Sequence, residues 1–201
     1  APMYPQTKAH QEAGNRVISI MGARSKSLFF WQDRMEAVSE KVLYSTDDGS
    51  FGYHGFAAEL VEQLIQDGEI FDEVIAIGPV PHMKAVTDVC KRHGVPIVVS
   101  LNPIMVDGTG MCGGCRVTAG GKVQYACVDG PEFDGASVDF DELMLRQATY
   151  RDVETAAAGK PAEGKYDCRL ERKLASMRTE LEASPGSVPV DSFDRSVALF
   201  V

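Results

Sequence analysis

The 201 residues are 44% hydrophobic and 24% charged, with a net charge of −9 at neutral pH, enough chain for one sizeable core and a small appended module. The acidic balance argues against nucleic-acid or anionic-membrane surfaces, which need clustered Lys and Arg. No apolar run approaches the roughly 18 residues that span a bilayer, the first residues lack a basic and apolar leader, and the odd count of five cysteines suits a reducing cytoplasm better than a disulfide framework. The expected location is cytoplasmic, with no nucleic acid and no membrane as partner.

Between residues 15 and 102, short Val- and Ile-rich runs alternate with amphipathic stretches, the pattern of parallel βα units. In chain order the spacing predicts a helix over 4–13, a strand over 16–21, a helix over 28–39, a strand over 42–45, a helix over 55–67, a strand over 73–77, a helix over 81–93 and a strand over 96–101. Strands this rich in β-branched residues are expected to be covered on both faces. Gly14-Asn15 and His93-Gly94 supply the αL-tolerant residues that end helices.

In open α/β sheets, ligands sit beyond the carboxyl ends of the strands, which directs attention to three segments. Gly22-Ala-Arg24-Ser-Lys26 offers two cations for ribose or phosphate oxygens. Asp47 and Asp48 offer ribose acceptors, and Gly49 lets the backbone approach the ligand, on a loop whose simplest reading is a plain turn. Gly78-Pro79 offers bare backbone against which a nicotinamide can lie. No Walker A motif occurs, and the one G-x-G-x-x-G string, Gly108-Thr-Gly110-Met-Cys-Gly113, lies inside the cysteine-spaced segment rather than at a strand-to-helix turn, so no complete phosphate-cradling loop is read in these residues. The four histidines, His10, His54, His82 and His93, are scattered and read as surface residues, and Cys90 reads as a small apolar side chain.

Residues 107–127 carry the chemistry. Asp107, Cys112, Cys115 and Cys127 are spaced D-x4-C-x2-C-x11-C, which is the plant-ferredoxin pattern C-x4-C-x2-C…C with a carboxylate in the first position. A 2Fe-2S cluster needs four anionic donors, and thiolates with one Asp meet that need. Gly108, Gly110, Gly113 and Gly114 allow the backbone to curl its amides toward the cluster sulfides. A zinc-closed interaction module is the alternative, since C-x2-C is also a zinc knuckle; zinc ribbons usually pair two such units, whereas Cys127 stands alone.

Further on, Asp139 is placed to cap a short helix, residues 155–165 read as a linker, and Leu170, Leu174, Met177 and Leu181 form a narrow stripe on a charged helix. Cys168 has no evident companion ligand, and 185–201 carries no usable pattern.

Gly22-Ala-Arg-Ser-Lys, Thr46-Asp-Asp-Gly-Ser-Phe-Gly, Ile77-Gly-Pro-Val-Pro, residues 100–116 and Ala126-Cys-Val-Asp-Gly-Pro-Glu-Phe together resemble the small subunit of NADH-dependent ferredoxin:NADP oxidoreductase. This is the sulfide dehydrogenase small subunit group, related to the electron-transfer subunit of dihydroorotate dehydrogenase. The resemblance covers roughly residues 1 to 147. The dihydroorotate group has cysteine where this chain has Asp107, which favours the ferredoxin:NADP group, with the dihydroorotate subunit as the alternative.

The resemblance implies an α/β fold: a ferredoxin-reductase-like nucleotide-binding domain with a parallel sheet over 1–101, a 2Fe-2S cluster-binding module over 102–147, and a linker with a C-terminal helix and tail over 148–201. It implies Asp107, Cys112, Cys115 and Cys127 as cluster ligands. It also implies Gly22, Arg24, Lys26, Asp47, Asp48, Gly49, Gly78 and Pro79 as lining for NAD(H) or NADP(H), with no catalytic side chain assigned. Family members carry a flavin-binding barrel and a glycine-rich turn ahead of this region. On that comparison the first, central strand of the sheet is absent, leaving its neighbours at 17–20 and 74–77 unpaired. The chain then reads as a fragment, or as one completed by a partner or by exchange between copies. It should hold FAD poorly by itself and work as the electron-transfer component of a heterodimer with a larger flavin/iron-sulfur subunit, passing electrons toward ferredoxin or NADP.

Overall fold

The computed structural model describes residues 2–158. Helix α1 (Met3–Glu12) leads into strand β1 (Ile18–Ala23), followed by α2 (Gln32–Ala37), β2 (Lys41–Thr46), β3 (Tyr53–His54), α3 (Ala57–Gln66), β4 (Val74–Ile77), α4 (Val80–His93) and β5 (Ile97–Ser100). The βα alternation therefore holds. Pairing is parallel from Ile18↔Lys41 to Ala23↔Thr46, from Ser45↔Tyr53 to Thr46↔His54, and from Val74↔Ile97 to Ile77↔Ser100.

Local chemistry sets most of the helix ends. Glu59 accepts from the Phe56 N–H at 3.2 Å and anchors the first turn of α3. Pro81 occupies the first turn of α4, and Gly94, at φ +68°, closes it in the left-handed region. Asp139 accepts from the Glu142 N–H at 2.9 Å and caps α6 (Phe140–Gln147), as the sequence predicts.

The helix predicted over 28–39 is shorter in the structure. A 3-10 turn over Lys26–Leu28 comes first, Trp31 takes φ +57°, and only Gln32–Ala37 is α-helical. The cause is tertiary: the Phe29 ring lies 5.3 Å from Tyr44 and 5.9 Å from Phe51, and these edge-on contacts hold the chain extended where helix propensity alone would continue it. The linker predicted over 155–165 also needs correction, because α7 (Arg151–Ala158) runs into it; its alanines are strong helix formers. Residues 152–158 belong to a second unit, and the stripe Leu170 to Leu181 and Cys168 lie outside the described residues.

Beyond β5 come β6 (Arg116–Ala119) and β7 (Lys122–Tyr125), joined at Gly120 and Gly121, both with positive φ. Two such residues between alternating strands are the usual two-residue hairpin turn. Then follow α5 (Ala126–Asp129) and β8 (Glu132–Asp134), which pairs antiparallel with β5. One continuous core joins Val80, Met83 and Val99 with Cys115, Val117 and Leu143.

The strands form two three-stranded sheets, ordered β1-β2-β3 and β4-β5-β8, beside the β6-β7 hairpin. Among the described residues β1 pairs only with β2, on one edge, so its other edge is open. At its foot, Arg16 donates to Glu40 at 2.7 Å and to Glu69 at 2.8 Å, clamping the starts of β1 and β2 to the loop before β4. The hydrogen bond from Arg16 holds the Glu69 carboxyl below its ordinary value of 4.5. A depressed folded-state value means that the contribution is present above about pH 4.5 and is lost as pH falls through the lower folded value. Glu69→Gln should therefore lower Tm at neutral pH, and the difference from the parent should vanish on acidification below that window in a pH series of thermal melts.

Candidate functional site

The loop from Leu101 to Cys115 is anchored at both ends. Leu101 donates from its N–H to the Pro131 carbonyl at 2.9 Å, and Cys115, 2% exposed, sits in the core at the start of β6 with its carbonyl accepting from Ala126 N–H at 3.1 Å. Gln147 donates to the Asn102 carbonyl at 2.9 Å, tying α6 to the loop. Between these anchors the Asp107 carboxylate organises the turn: Oδ1 accepts from Thr109 N–H at 2.9 Å and Oδ2 from Cys112 N–H at 3.0 Å. Those bonds, Thr109 foremost, hold the Asp107 carboxyl below the usual carboxylate range.

The four sequence-predicted donors fall into two neighbouring pairs. Cys115 Sγ and Cys127 Sγ are 3.2 Å apart, with Cys127 in the first turn of α5. Asp107 and Cys112 are joined through the Cys112 amide, and Cys112 Sγ accepts from Gly114 N–H at 3.3 Å. The hydrogen bond from Cys115 pushes the Cys127 thiol up, and burial adds to it. Gly110 shows why the loop needs glycine: at φ +84° a Cβ would meet Val128 Cγ2 at 2.6 Å, on the α5 turn that carries Cys127. Among the described residues no three or more His, Cys, Asp or Glu side chains converge on a point that suits a single metal ion.

The loop also carries an apolar rim that composition did not reveal. Ile104, Met105, Val106 and Met111 on the loop are exposed, Met111 at 87%, and so is Val128 on α5. The signal was available as apolar residues inside a glycine-rich turn segment, which has no core of its own to fill.

The strand-end segments gather at one large cavity of about 1250 Å³. Gly22, Arg24, Asp47, Gly78 and Pro79 line it; Lys26, Asp48 and Gly49 do not. Lys26 Nζ instead lies 5.1 Å over the Phe51 ring. Asp48 Oδ1 accepts from Ser50 N–H at 2.9 Å, the plain-turn geometry, and Gly49 takes φ +71° beside His54. The two loops are stitched together where Lys26 N–H donates to Ser50 Oγ at 2.8 Å. His82, read from sequence as a surface residue, is half-buried along this cavity under Gly78, and burial lowers its pKa. Its position in the first turn of a helix that follows a strand was the available signal.

Residues 102–139 match the family described as the iron–sulfur cluster binding domain of dihydroorotate dehydrogenase B. The chain is 49% identical over 154 residues to a dihydroorotate dehydrogenase B electron transfer subunit homolog of Thermotoga maritima, covering 77% of this chain and 54% of that one. It is 46% identical over 165 residues to an uncharacterised protein in the adh 3′ region of Clostridium beijerinckii, covering 82% and 56%. Among solved structures, an NADH-dependent reduced ferredoxin-NADP oxidoreductase, described for flavin-based electron bifurcation, has a chain that superposes with a TM-score of 0.70 at 46% identity, covering 77% of this chain and 55% of that one.

An α/β domain with a mixed sheet is followed, after its last parallel strand, by the segment that matches the iron–sulfur-binding family. The chain is a homologue of the dihydroorotate dehydrogenase B electron-transfer subunits and a member of the family that includes NADH-dependent ferredoxin:NADP oxidoreductase. It spans about half the length of the curated relatives it matches.

Proposed function

We propose that this chain holds a 2Fe-2S cluster through Asp107, Cys112, Cys115 and Cys127 and carries electrons between NAD(P)H, FAD and that cluster. The observation that carries this reading is the pairing of donors between one anchored loop and the α5 turn, with Cys115 and Cys127 sulfurs 3.2 Å apart and Asp107 locked to Cys112. Two pairs rather than one convergent set suit a binuclear centre, in which each metal takes two protein ligands. The chemistry of the donors fits as well, since three thiols and an ionised carboxylate supply the negative charge that ferric iron requires.

When bound, such a cluster supplies one-electron transfer at a potential set by its ligands and by the hydrogen bonds to its sulfurs. The chain's own residues set those conditions. Gly114 N–H donates to Cys112 Sγ, the core fixes Cys115, and Asp107 contributes a harder donor than a thiolate. Gly22, Arg24, Asp47, Gly78 and Pro79 are the nucleotide contacts of this reading, with Arg24 meeting an anionic oxygen and Gly78 leaving backbone open to the ring. Lys26, Asp48 and Gly49 remain as support for the same loops. FAD and the larger flavin/iron-sulfur subunit complete the enzyme, with ferredoxin or NADP as the distant acceptor. The exposed rim of Ile104, Met105, Val106, Met111 and Val128 gives that subunit an apolar surface beside the cluster loop. The compartment of this reading is the cytoplasm, and no helix among the described residues is long and apolar enough to cross a membrane.

The test is a visible spectrum of anaerobically purified protein with iron and acid-labile sulfide assayed on the same sample. The expected result is a coloured protein with about two irons and two sulfides per chain. A colourless, zinc-containing sample overturns it in favour of an interaction module. Asp107→Cys should keep the cluster and shift its midpoint potential in protein-film voltammetry; an unchanged midpoint removes Asp107 from the ligand set.

A further inference from the structure

The strand-end residues that line the cavity belong to two sheets. Gly78 and Pro79 follow β4, whereas Arg24 follows β1, Asp47 follows β2 and Phe56 stands at the start of α3. With the nicotinamide against Gly78, a dinucleotide lying across the carboxyl ends of the strands brings its adenosine to Arg24, Asp47 and Phe56. Backbone fixes the first two. The β1-β2 ladder runs one step beyond its last pair, Ala23↔Thr46, with Asp47 N–H donating to the Ala23 carbonyl at 3.1 Å and Asp48 N–H to the Arg24 carbonyl at 3.2 Å. Arg24 and Asp47 therefore stand side by side, one strand spacing of about 4.8 Å apart.

We propose that Asp47 is the specificity-determining residue of this site: its carboxylate accepts from the hydroxyls of an adenosine ribose and turns away a 2′-phosphate, with the Phe56 ring as the platform for the adenine. This deepens the nucleotide reading given above and rests on it. A ribose diol is a pair of donors, and an ionised carboxylate only accepts, so the two are complementary. A 2′-phosphate brings no donor in its ionised form and carries a charge of about −1.5 to −2 near neutrality. Beside Asp47 it loses a hydrogen bond and meets a like charge.

The neighbouring cations do not offset this. Lys26 lies outside the lining: its Nζ is 5.1 Å over the Phe51 ring, and its backbone N–H is held by Ser50 Oγ. Arg24 does line the cavity, but its nearest strand-end neighbour is Asp47, of opposite charge. Asp48 has one carboxylate oxygen taken by the Ser50 N–H at 2.9 Å, which leaves Asp47 as the carboxylate of this loop that lines the cavity. Phe56 is 63% exposed there, while its own N–H is bound to Glu59. A base stacks on such a ring whatever its ribose carries. Phe56 thus contributes affinity, and Asp47 the choice between dinucleotides.

The experiment is isothermal titration of the purified chain with NAD+ and NADP+, whose oxidised forms bind without turnover. NAD+ should bind about tenfold or more tightly than NADP+. Asp47→Asn keeps an acceptor and removes the charge, so it should narrow that preference to about threefold or less, chiefly by tightening NADP+. Asp72→Asn makes the same change of charge on the cavity wall ahead of β4 and should keep the parental preference. Phe56→Ala should weaken both dinucleotides by the same factor, about fivefold or more. A preference that persists in Asp47→Asn, or that falls equally in Asp72→Asn, overturns the role of Asp47 and leaves the nucleotide reading standing. Tighter binding of NADP+ by the parent does the same. Binding of neither dinucleotide by the parent overturns the nucleotide reading itself, and this inference with it.

Discussion

On the proposed cluster reading, Cys115→Ala is expected to strip the protein of iron and visible colour, whereas Cys90→Ala leaves both intact. The two thiols are matched in burial, at 2% and 0% exposure, and both belong to the main core. Removing either sulfur leaves a cavity of the same small size and a similar loss of packing. They differ in what stands next to them. Cys115 Sγ is 3.2 Å from Cys127 Sγ, while burial alone pushes the Cys90 thiol up to about 11, marking it as an inert packing group. Loss of one ligand should lower iron per chain about tenfold or more, since even outer contacts of metal sites are worth about 10–100-fold. Iron assay with circular dichroism on both variants separates the effects. Equal iron in the two would remove Cys115 from the ligand set, and unfolding of both would show up directly in the dichroism.

The second large effect is steric and concerns the loop that follows β2. Gly52 and Gly94 have nearly the same backbone, at φ +69° and +68°. A Cβ on Gly94 meets nothing within 4 Å, so Gly94→Ala should cost only the left-handed conformation, about 1 kcal/mol. A Cβ on Gly52 runs into the Tyr44 carbonyl oxygen and comes within 2.7 Å of its carbonyl carbon. Backbone of β2 cannot swing aside as a side chain can. Gly52→Ala should therefore cost about 3 kcal/mol or more and loosen the contacts that Thr46 makes with Phe51, in which its hydroxyl donates to the Phe51 carbonyl at 2.8 Å. Urea denaturation of the two variants measures the difference; equal midpoints would mean that the loop relaxes without strain.

The parts of the fold legible in the sequence were those encoded over a few residues. Val42, Val74, Ile75, Ile97 and Val98 marked their strands because β-branched runs favour extended backbone wherever they pack. Asp139 and Gly94 marked helix ends through local hydrogen bonds and a local dihedral. Gly120-Gly121 carried a hairpin signal that the cysteine spacing overshadowed. The interruption at Trp31 was not legible, because it depends on Tyr44 and Phe51, residues that are distant in sequence and come together only when β2 and its loop are in place. The position of Glu132, on a strand that pairs with β5 across more than thirty residues of chain, is of the same kind.

The candidate site divides along the same line. Spacing alone singled out the candidate donors Asp107, Cys112, Cys115 and Cys127 of the proposed cluster, because ligands close in sequence are limited by the short reach of the backbone between them. It also marked the segments that follow the carboxyl ends of the strands. Only the tertiary structure decided that Cys127 Sγ meets Cys115 rather than Cys112, that Gly22, Arg24, Asp47, Gly78 and Pro79 share a cavity that Lys26 does not line, and that β8 joins β4 and β5 in one sheet while β1 pairs with β2 in another. Those outcomes are set by long-range pairing and packing, whose energies sum over residues far apart in the chain, and a local pattern holds no record of that sum.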